Sequence, residues 1–272
     1  MPEGDTVWLA GRMLDAALSG SVVDADFRVP QLAERGMRSE VLSTVTRGKH
    51  LLTRFDTGDT LHTHFKMEGV WHLYRPGEKW RRPTHQARVV LTGEERVAVG
   101  FSLGITELVR TEDEHEVVGH LGPDLLGEDW GEDQAAEAVR RLAADPDRAV
   151  AEALLDQRNL AGVGNMYAAE LCFMVGLHPK APVSAVPDLP RLVDLSHRVL
   201  FLNRDRVDQA TTGDLRRNKQ LWVYRRDKQT CRRCGTRIRV DQHGEKGKER
   251  AAYWCPSCQP GEPASPVAQR GG

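Results

Sequence analysis

Residues 154–179 read LLDQRNLAGVGNMYAAELCFMVGLHP. The helical pattern at the start of this stretch should end near Asn159, and Ala161-Gly162-Val163-Gly164 should form tight turns that need glycine's freedom in φ. Asn165 is then placed to act as the N-cap of the next helix. Glycines ahead of a helix N-terminus aim free backbone N–H groups at one point and so make an anion site. An ordinary corner between two helices has the same outline, so the stretch acquires meaning from its surroundings.

Working outward, QAAEAVRRLAA and RAVAEALLDQ precede it and LPRLVDLSHRVLFLNRD follows it, all with helical spacing, so helices should dominate from 134 to about 210. Earlier in the chain the texture is different. Residues 5–19 (DTVWLAGRMLDAALS) predict an amphipathic helix. From 21 to 110 short alternating runs such as HLLTRFDTG, VWHLYR and ARVVLTG are punctuated by Gly, Asp and Pro, as in a meandering antiparallel sheet or sandwich. The acidic stretch 111–133 lacks periodicity and contains Gly-Pro, which reads as a hinge or linker.

Beyond the helical region, Cys231-x2-Cys234 and Cys255-x2-Cys258 form a four-thiolate pattern in which each pair can turn two sulfurs towards one zinc ion. The segment between the pairs predicts a β-hairpin with a basic tip, held in shape by the metal rather than by a large core. The fifth cysteine, Cys172, falls in a helical pattern and reads as core. At 40% hydrophobic and 28% charged, the 272-residue composition is that of a soluble globular protein of two modules plus an accessory. No run approaches a membrane span and no secretory signal is visible, so the expected compartment is the cytoplasm.

The net charge of −1 conceals a segregation. Residues 201–250 carry +8 and the remainder −9, which makes one region a target for a polyanion. At the other end of the chain stands Pro2-Glu3. Removal of Met1 would leave Pro2 as a terminal secondary amine, and an α-amino group has a pKa near 8 against roughly 10.4 for lysine. An unprotonated amine with a carboxylate beside it suits Schiff-base chemistry on an aldehyde carbon.

Four motifs in this order resemble the formamidopyrimidine-DNA glycosylase/endonuclease VIII family over nearly the whole chain. They are Pro2-Glu3, the run Arg47-Gly48-Lys49-His50-Leu51-Leu52 after a strand, Gln157 to Asn165, and Glu249-Arg250 ahead of Cys255-Pro256-Ser257-Cys258-Gln259. The resemblance implies an α+β fold. An N-terminal antiparallel β-sandwich with an N-terminal helix would occupy 1–115, a linker 116–133, and a helix–two-turn–helix domain 134–222. A four-cysteine zinc-finger β-hairpin would span 223–262 and a loose tail 263–272.

It further implies a bifunctional DNA glycosylase and abasic-site lyase of base-excision repair. The protein would act as a monomer on double-stranded DNA carrying a damaged or abasic nucleotide, in the cytoplasm and at the nucleoid when bound to DNA. Pro2 would attack C1′ of the damaged nucleotide, Glu3 would relay protons, and Lys49 would contact the adjacent phosphate. Asn165 and Arg250 would clamp the same backbone, and β- and δ-elimination would follow. In the segment His64-Phe65-Lys66-Met67-Glu68-Gly69, Met67 would be the wedge that fills the hole left by the flipped nucleotide, with Leu103 a second candidate. Zinc on Cys231, Cys234, Cys255 and Cys258 would be structural. The histidines His50, His62, His64 and His72 show no metal spacing and read as sheet or surface residues.

The departures favour the endonuclease VIII branch, whose usual substrates are oxidised pyrimidines. Thr6 stands where the purine branch carries a second glutamate, no Arg-x-Phe unit lies near Phe101, and the loop from about Thr211 to Leu221 is short. Glu68 also differs from the aromatic usual in that branch. Two alternatives stand beside this reading: an abasic-site lyase with little glycosylase activity, and a non-catalytic zinc-ribbon DNA-binding protein.

Overall fold

The computed structural model describes residues 2–244 and 249–261. Met1, the expected basic hairpin tip at 245–248 and the expected tail at 263–272 lie outside the described residues.

Helix α1 (Gly4–Leu18) buries Val7, Gly11, Leu14 and Leu18, a spacing that keeps one face on the sheet. Eight strands follow: β1 (Val22–Phe27), β2 (Met37–Arg47), β3 (His50–Phe55), β4 (Asp59–His64), β5 (Val70–Tyr74), β6 (Ala87–Thr92), β7 (Val97–Phe101) and β8 (Ile105–Arg110). They form one antiparallel sheet in the order β5-β7-β6-β1-β2-β3-β4-β8. The long strand β2 turns the corner. Its residues Met37–Glu40 pair with β1 and those from Val41 onward pair with β3, with a register shift between Val41 and Ser43 at the start of the second ladder. The two halves thereby face each other across one core. Val23, Phe27, Trp71 and Leu91 come from one half, Val41, Leu51, Phe55 and Leu61 from the other, and Val7, Leu14 and Leu18 from α1.

The acidic stretch after β8 is more firmly built than its composition predicts. It contains α2 (Glu114–Val118), and Glu114 accepts two hydrogen bonds from Arg54 at 2.8 and 2.7 Å. Buried Asp124 accepts from Gly48 N at 2.7 Å, while Pro123 O and the N–H of Leu125 both bond Ala161. This stretch therefore connects the sheet to the glycine turn. Its polar residues find partners in tertiary contacts, which periodicity does not register.

Helices α3 (Glu132–Ala143), α4 (Val150–Leu155), α5 (Asn165–Met174) and α6 (Leu189–Asn203) enclose a second core. Helix α4 stops at Leu155, four residues before Asn159, because Asp156 turns its carboxylate onto the N–H of Arg158 and opens a turn. Residues Asn165–Phe173 of α5 are all buried, so this helix is the axis of the helical part. Strands β9 (Arg239–His243) and β10 (Arg250–Trp254) form the expected antiparallel hairpin, and Cys231, Ile238 and Cys255 join the same apolar cluster as α5.

Candidate active site and DNA-binding cleft

The anion site expected at the glycine turn exists, and the chain's own third residue fills it. Glu3 accepts hydrogen bonds from the backbone N–H groups of Gly164 (2.8 Å), Met166 (2.7 Å) and Tyr167 (3.3 Å). Gly4 N donates to Gly162 O at 2.9 Å, docking the start of the chain on the turn and holding half-buried Pro2 beside it. Two glycines make this approach possible. Gly162 has φ +112, and a Cβ on Gly164 would lie 2.5 Å from Glu3 Cδ.

Asn165 is not the N-cap. Gly164 takes that position and Asn165 is the first residue of α5. Glu3 satisfies the helix end, and this frees the Asn165 side chain to donate to Ala251 O on β10 at 2.9 Å. The helical part and the finger are thus joined one residue from Arg250.

Half-buried Lys49, in the β2–β3 turn, donates through Nζ to Val163 O, and Glu3 and Arg250 both act on it electrostatically. Loss of solvent pushes the Lys49 pKa down to about 8, against the pull of Glu3 and with the help of Arg250. Burial raises Glu3 to about 7, Asp5 adds to the rise, and Lys49 and the N–H groups of Met166 and Gly164 oppose it. The carboxylate and the amine are therefore both poised near neutrality.

Met67, Asn165 and Arg250 line one open cleft of about 1110 Å³, together with Arg148, Tyr224 and Arg225. Met67 is 63% exposed. Its turn is held by the N–H of Lys66 donating to His64 Nδ1 (2.9 Å) and that of Gly69 donating to Phe65 O (2.9 Å). Leu103, by contrast, is 6% exposed and packs against Gly100 in the sheet core, so it is not available as a wedge. The segment near Thr211–Leu221 is short and closed on itself, with the N–H groups of Thr211 and Thr212 both donating to Gln220 O.

The four paired cysteines bring their sulfurs within 4.8 Å of one another, with Cys231–Cys258 at 3.9 Å and Cys234–Cys255 at 3.4 Å. Tetrahedral zinc–thiolate bonds of roughly 2.3 Å place sulfurs about 3.8 Å apart, so the geometry fits. Among the described residues no other metal-capable cluster of this kind occurs. Cys172 is buried, as expected. The histidines are less passive than their spacing suggests: His50 Nδ1 and His62 Nε2 are 2.8 Å apart, and His62 Nδ1 lies 2.7 Å from Glu107. Burial and the neighbouring His64, His62 and His120 depress His50 to about 3.

Sequence reasoning missed three buried groups. Asp5 accepts from Tyr167 Oη at 2.6 Å and from Gln209 Nε2 at 2.8 and 3.0 Å. Tyr167, on the first turn of α5, also brings its N–H to Glu3. Glu170 accepts from the N–H groups of Trp222 (2.7 Å), Val223 (2.8 Å) and Tyr224 (2.8 Å) and from Thr211 Oγ1. A glutamate inside the apolar run MYAAELCFM was the one available signal, since buried carboxylates persist only with partners.

Comparisons with known proteins identify the family. Family models described as the formamidopyrimidine-DNA glycosylase N-terminal domain and the formamidopyrimidine-DNA glycosylase H2TH domain match residues 1–102 and 121–197. A "Probable endonuclease 8 2" of Streptomyces coelicolor is 48% identical over 100% of this chain and 98% of its own. The Mycolicibacterium smegmatis "DNA-(apurinic or apyrimidinic site) lyase Nei2" is 46% identical over 95% of this chain and 99% of its own. In fold, the chain resembles the Lactococcus lactis Fpg protein solved with abasic-site DNA. The TM-score is 0.77 at 20% identity, covering 95% of this chain and 99% of that one.

Proposed function

The chain belongs to the formamidopyrimidine-DNA glycosylase/endonuclease VIII family and is a DNA glycosylase and abasic-site lyase of base-excision repair, and from that premise we propose that Pro2, Glu3 and Lys49 carry its chemistry. The observation that supports this reading best is the seating of Glu3 on the α5 N-terminus, beside Pro2 and within electrostatic reach of Lys49. The Pro2 amine, freed by loss of Met1, attacks C1′ of an extruded nucleotide. The base leaves with the amine proton, the C1′–O4′ bond then opens as O4′ takes a proton from Glu3, and the resulting iminium joins protein to sugar. Glu3 is the proton carrier, its pKa raised by burial to about 7. β- and then δ-elimination release the protein and leave a one-nucleotide gap.

Lys49, Asn165 and Arg250 bind the phosphates around the lesion from the sheet, α5 and the finger respectively. Met67 enters the stack in place of the flipped nucleotide. Zinc, when bound by Cys231, Cys234, Cys255 and Cys258, holds the finger's shape. The protein works as a monomer on duplex DNA in the cytoplasm. Oxidised pyrimidines are the favoured lesions, a reading supported by the short closed 211–220 loop, which offers little cover for a large flipped purine.

Borohydride trapping on abasic-site DNA tests the chemistry. A covalent adduct should form with native protein and vanish when Met1 is retained or Pro2→Gly carries an N-terminal tag. Strand cleavage by the tagged protein would defeat the amine mechanism. Thr6 favours a second reading, an abasic-site lyase with little glycosylase activity. Duplexes carrying thymine glycol, dihydrouracil, oxoguanine or a preformed abasic site separate the two, and activity on the abasic site alone would select the lyase.

A further inference from the structure

Asp5 is 1% exposed and engages three other residues. Its Oδ1 accepts from Thr6 N at 2.8 Å and from Gln209 Nε2 at 2.8 Å; its Oδ2 accepts from Tyr167 Oη at 2.6 Å. Burial pushes the Asp5 pKa up, and every one of these partners is a donor that acts against that push by favouring the ionised carboxylate with lone pairs on both oxygens. The donors come from separate places: Thr6 from α1, Tyr167 from α5, and Gln209 from the segment after α6. Among the described residues the Thr6 hydroxyl reaches Asp5 and Gln209 alone, both at 3.4 Å.

We propose that Asp5 is the positioning residue of the active site, tying the Pro2–Glu3 segment to Tyr167 and Gln209 and holding a negative charge beside Glu3 so that Glu3 keeps a proton to donate. This rests on the reading of Pro2 and Glu3 above. It gives the site a second carboxylate from position 5, where position 6 has only a hydroxyl. The groups facing Glu3 are Lys49 from the β2–β3 turn, Asp5 from α1, Tyr167 with the α5 N–H groups, and Tyr224 from the segment entering the finger; Arg250 stands beyond Lys49. Of these, Asp5 is the nearby anion, and it raises Glu3 while Lys49 lowers it. Removing the Asp5 charge therefore lets Glu3 give up its proton at lower pH.

The test is the pH profile of single-turnover excision by Asp5→Asn, together with borohydride trapping. If Glu3 donates a proton, activity falls as pH rises through its pKa, and in Asp5→Asn this alkaline limb should move down by roughly one pH unit. A role in packing alone would lower the rate at every pH and leave the limb in place, which would overturn the proposal. Should Asp5→Asn fail to fold, the Tyr167→Phe, Gln209→Leu double variant removes the donors that keep Asp5 ionised. It should displace the limb in the same direction, and an unmoved limb there would also overturn the proposal. Absence of a trapped adduct with unmodified protein would instead sink the Pro2 mechanism, a separable outcome.

Discussion

Gly164 and Glu3 are fitted to each other at contact distance: the glycine N–H donates to Glu3 Oε2 at 2.8 Å, and a methyl group at 164 would sit 2.5 Å from Glu3 Cδ. A helix N-terminus attracts any carboxylate, but only a residue without a Cβ lets this one reach all three N–H groups. Gly164→Ala should therefore displace Glu3. We expect a loss of about 2 kcal/mol from overpacking in urea unfolding, and a fall in excision rate of about 100-fold from misplacement of the site. An active, stable alanine variant would show that Glu3 works elsewhere.

The charge on Lys49 holds the Glu3 pKa down. Lys49→Met should move the Glu3 carboxyl midpoint above about 7, read from its ¹³C shift in a pH titration. The same raised value has a linkage consequence. Folded Glu3 keeps its proton to higher pH than an unfolded glutamate with pKa 4.5, so folding takes up a proton between about 4.5 and 7. The stability this group contributes is full below that window and is lost as pH rises through it.

Met67 is exposed at the tip of a turn whose hydrogen bonds do not involve its side chain. Met67→Ala should leave the melting temperature unchanged and slow excision from duplex about tenfold, the equivalent of about 1.4 kcal/mol of lost stacking compensation. Cleavage at an abasic site in single-stranded DNA should hardly change. Equal losses on both substrates would remove Met67 from the flipping step.

Glu170 gathers three consecutive backbone N–H groups, those of Trp222, Val223 and Tyr224, where the chain enters the finger. Truncation to alanine strands them in the interior. Glu170→Ala should cost about 3 kcal/mol or more and weaken DNA binding, because Tyr224 and Arg225 line the cleft. Denaturant unfolding and an equilibrium binding titration measure the two effects.

Cys231 and Cys255 lie in the apolar cluster of α5, so the finger is not an independent appendage. Chelation of zinc should abolish DNA binding and loosen the Asn165–Ala251 contact, while the sandwich, whose core is separate, remains folded. Near-ultraviolet circular dichroism and a filter-binding assay report these outcomes; undiminished binding without zinc would take the finger out of the mechanism.

Much of the architecture was legible in local pattern. Apolar spacing located α1 to within a residue at each end, short alternating runs located β2 to β7 but not β1 or β8, and the two Cys-x2-Cys pairs located the finger hairpin. Asn165 was read as the N-cap of α5 and is not, since a capping preference is local whereas the actual cap arrives from 161 residues away. Leu103 is buried for the same kind of reason: both candidates lie in strand connections within two residues of a glycine, and only packing against Gly100 decides that this one faces in.

By itself the sequence determined the helices, most of the strands and the metal-binding pattern and drew attention to Glu3 and Lys49, because each depends on short spacings that covalent geometry enforces. The tertiary structure alone decided what those residues become and brought in Asp5, which local pattern had not marked. Glu3 turned out to be a helix cap with a pKa near neutrality, Lys49 a depressed amine, and Asp5 a shared acceptor for two distant donors. Those properties come from desolvation and from charges brought together by folding.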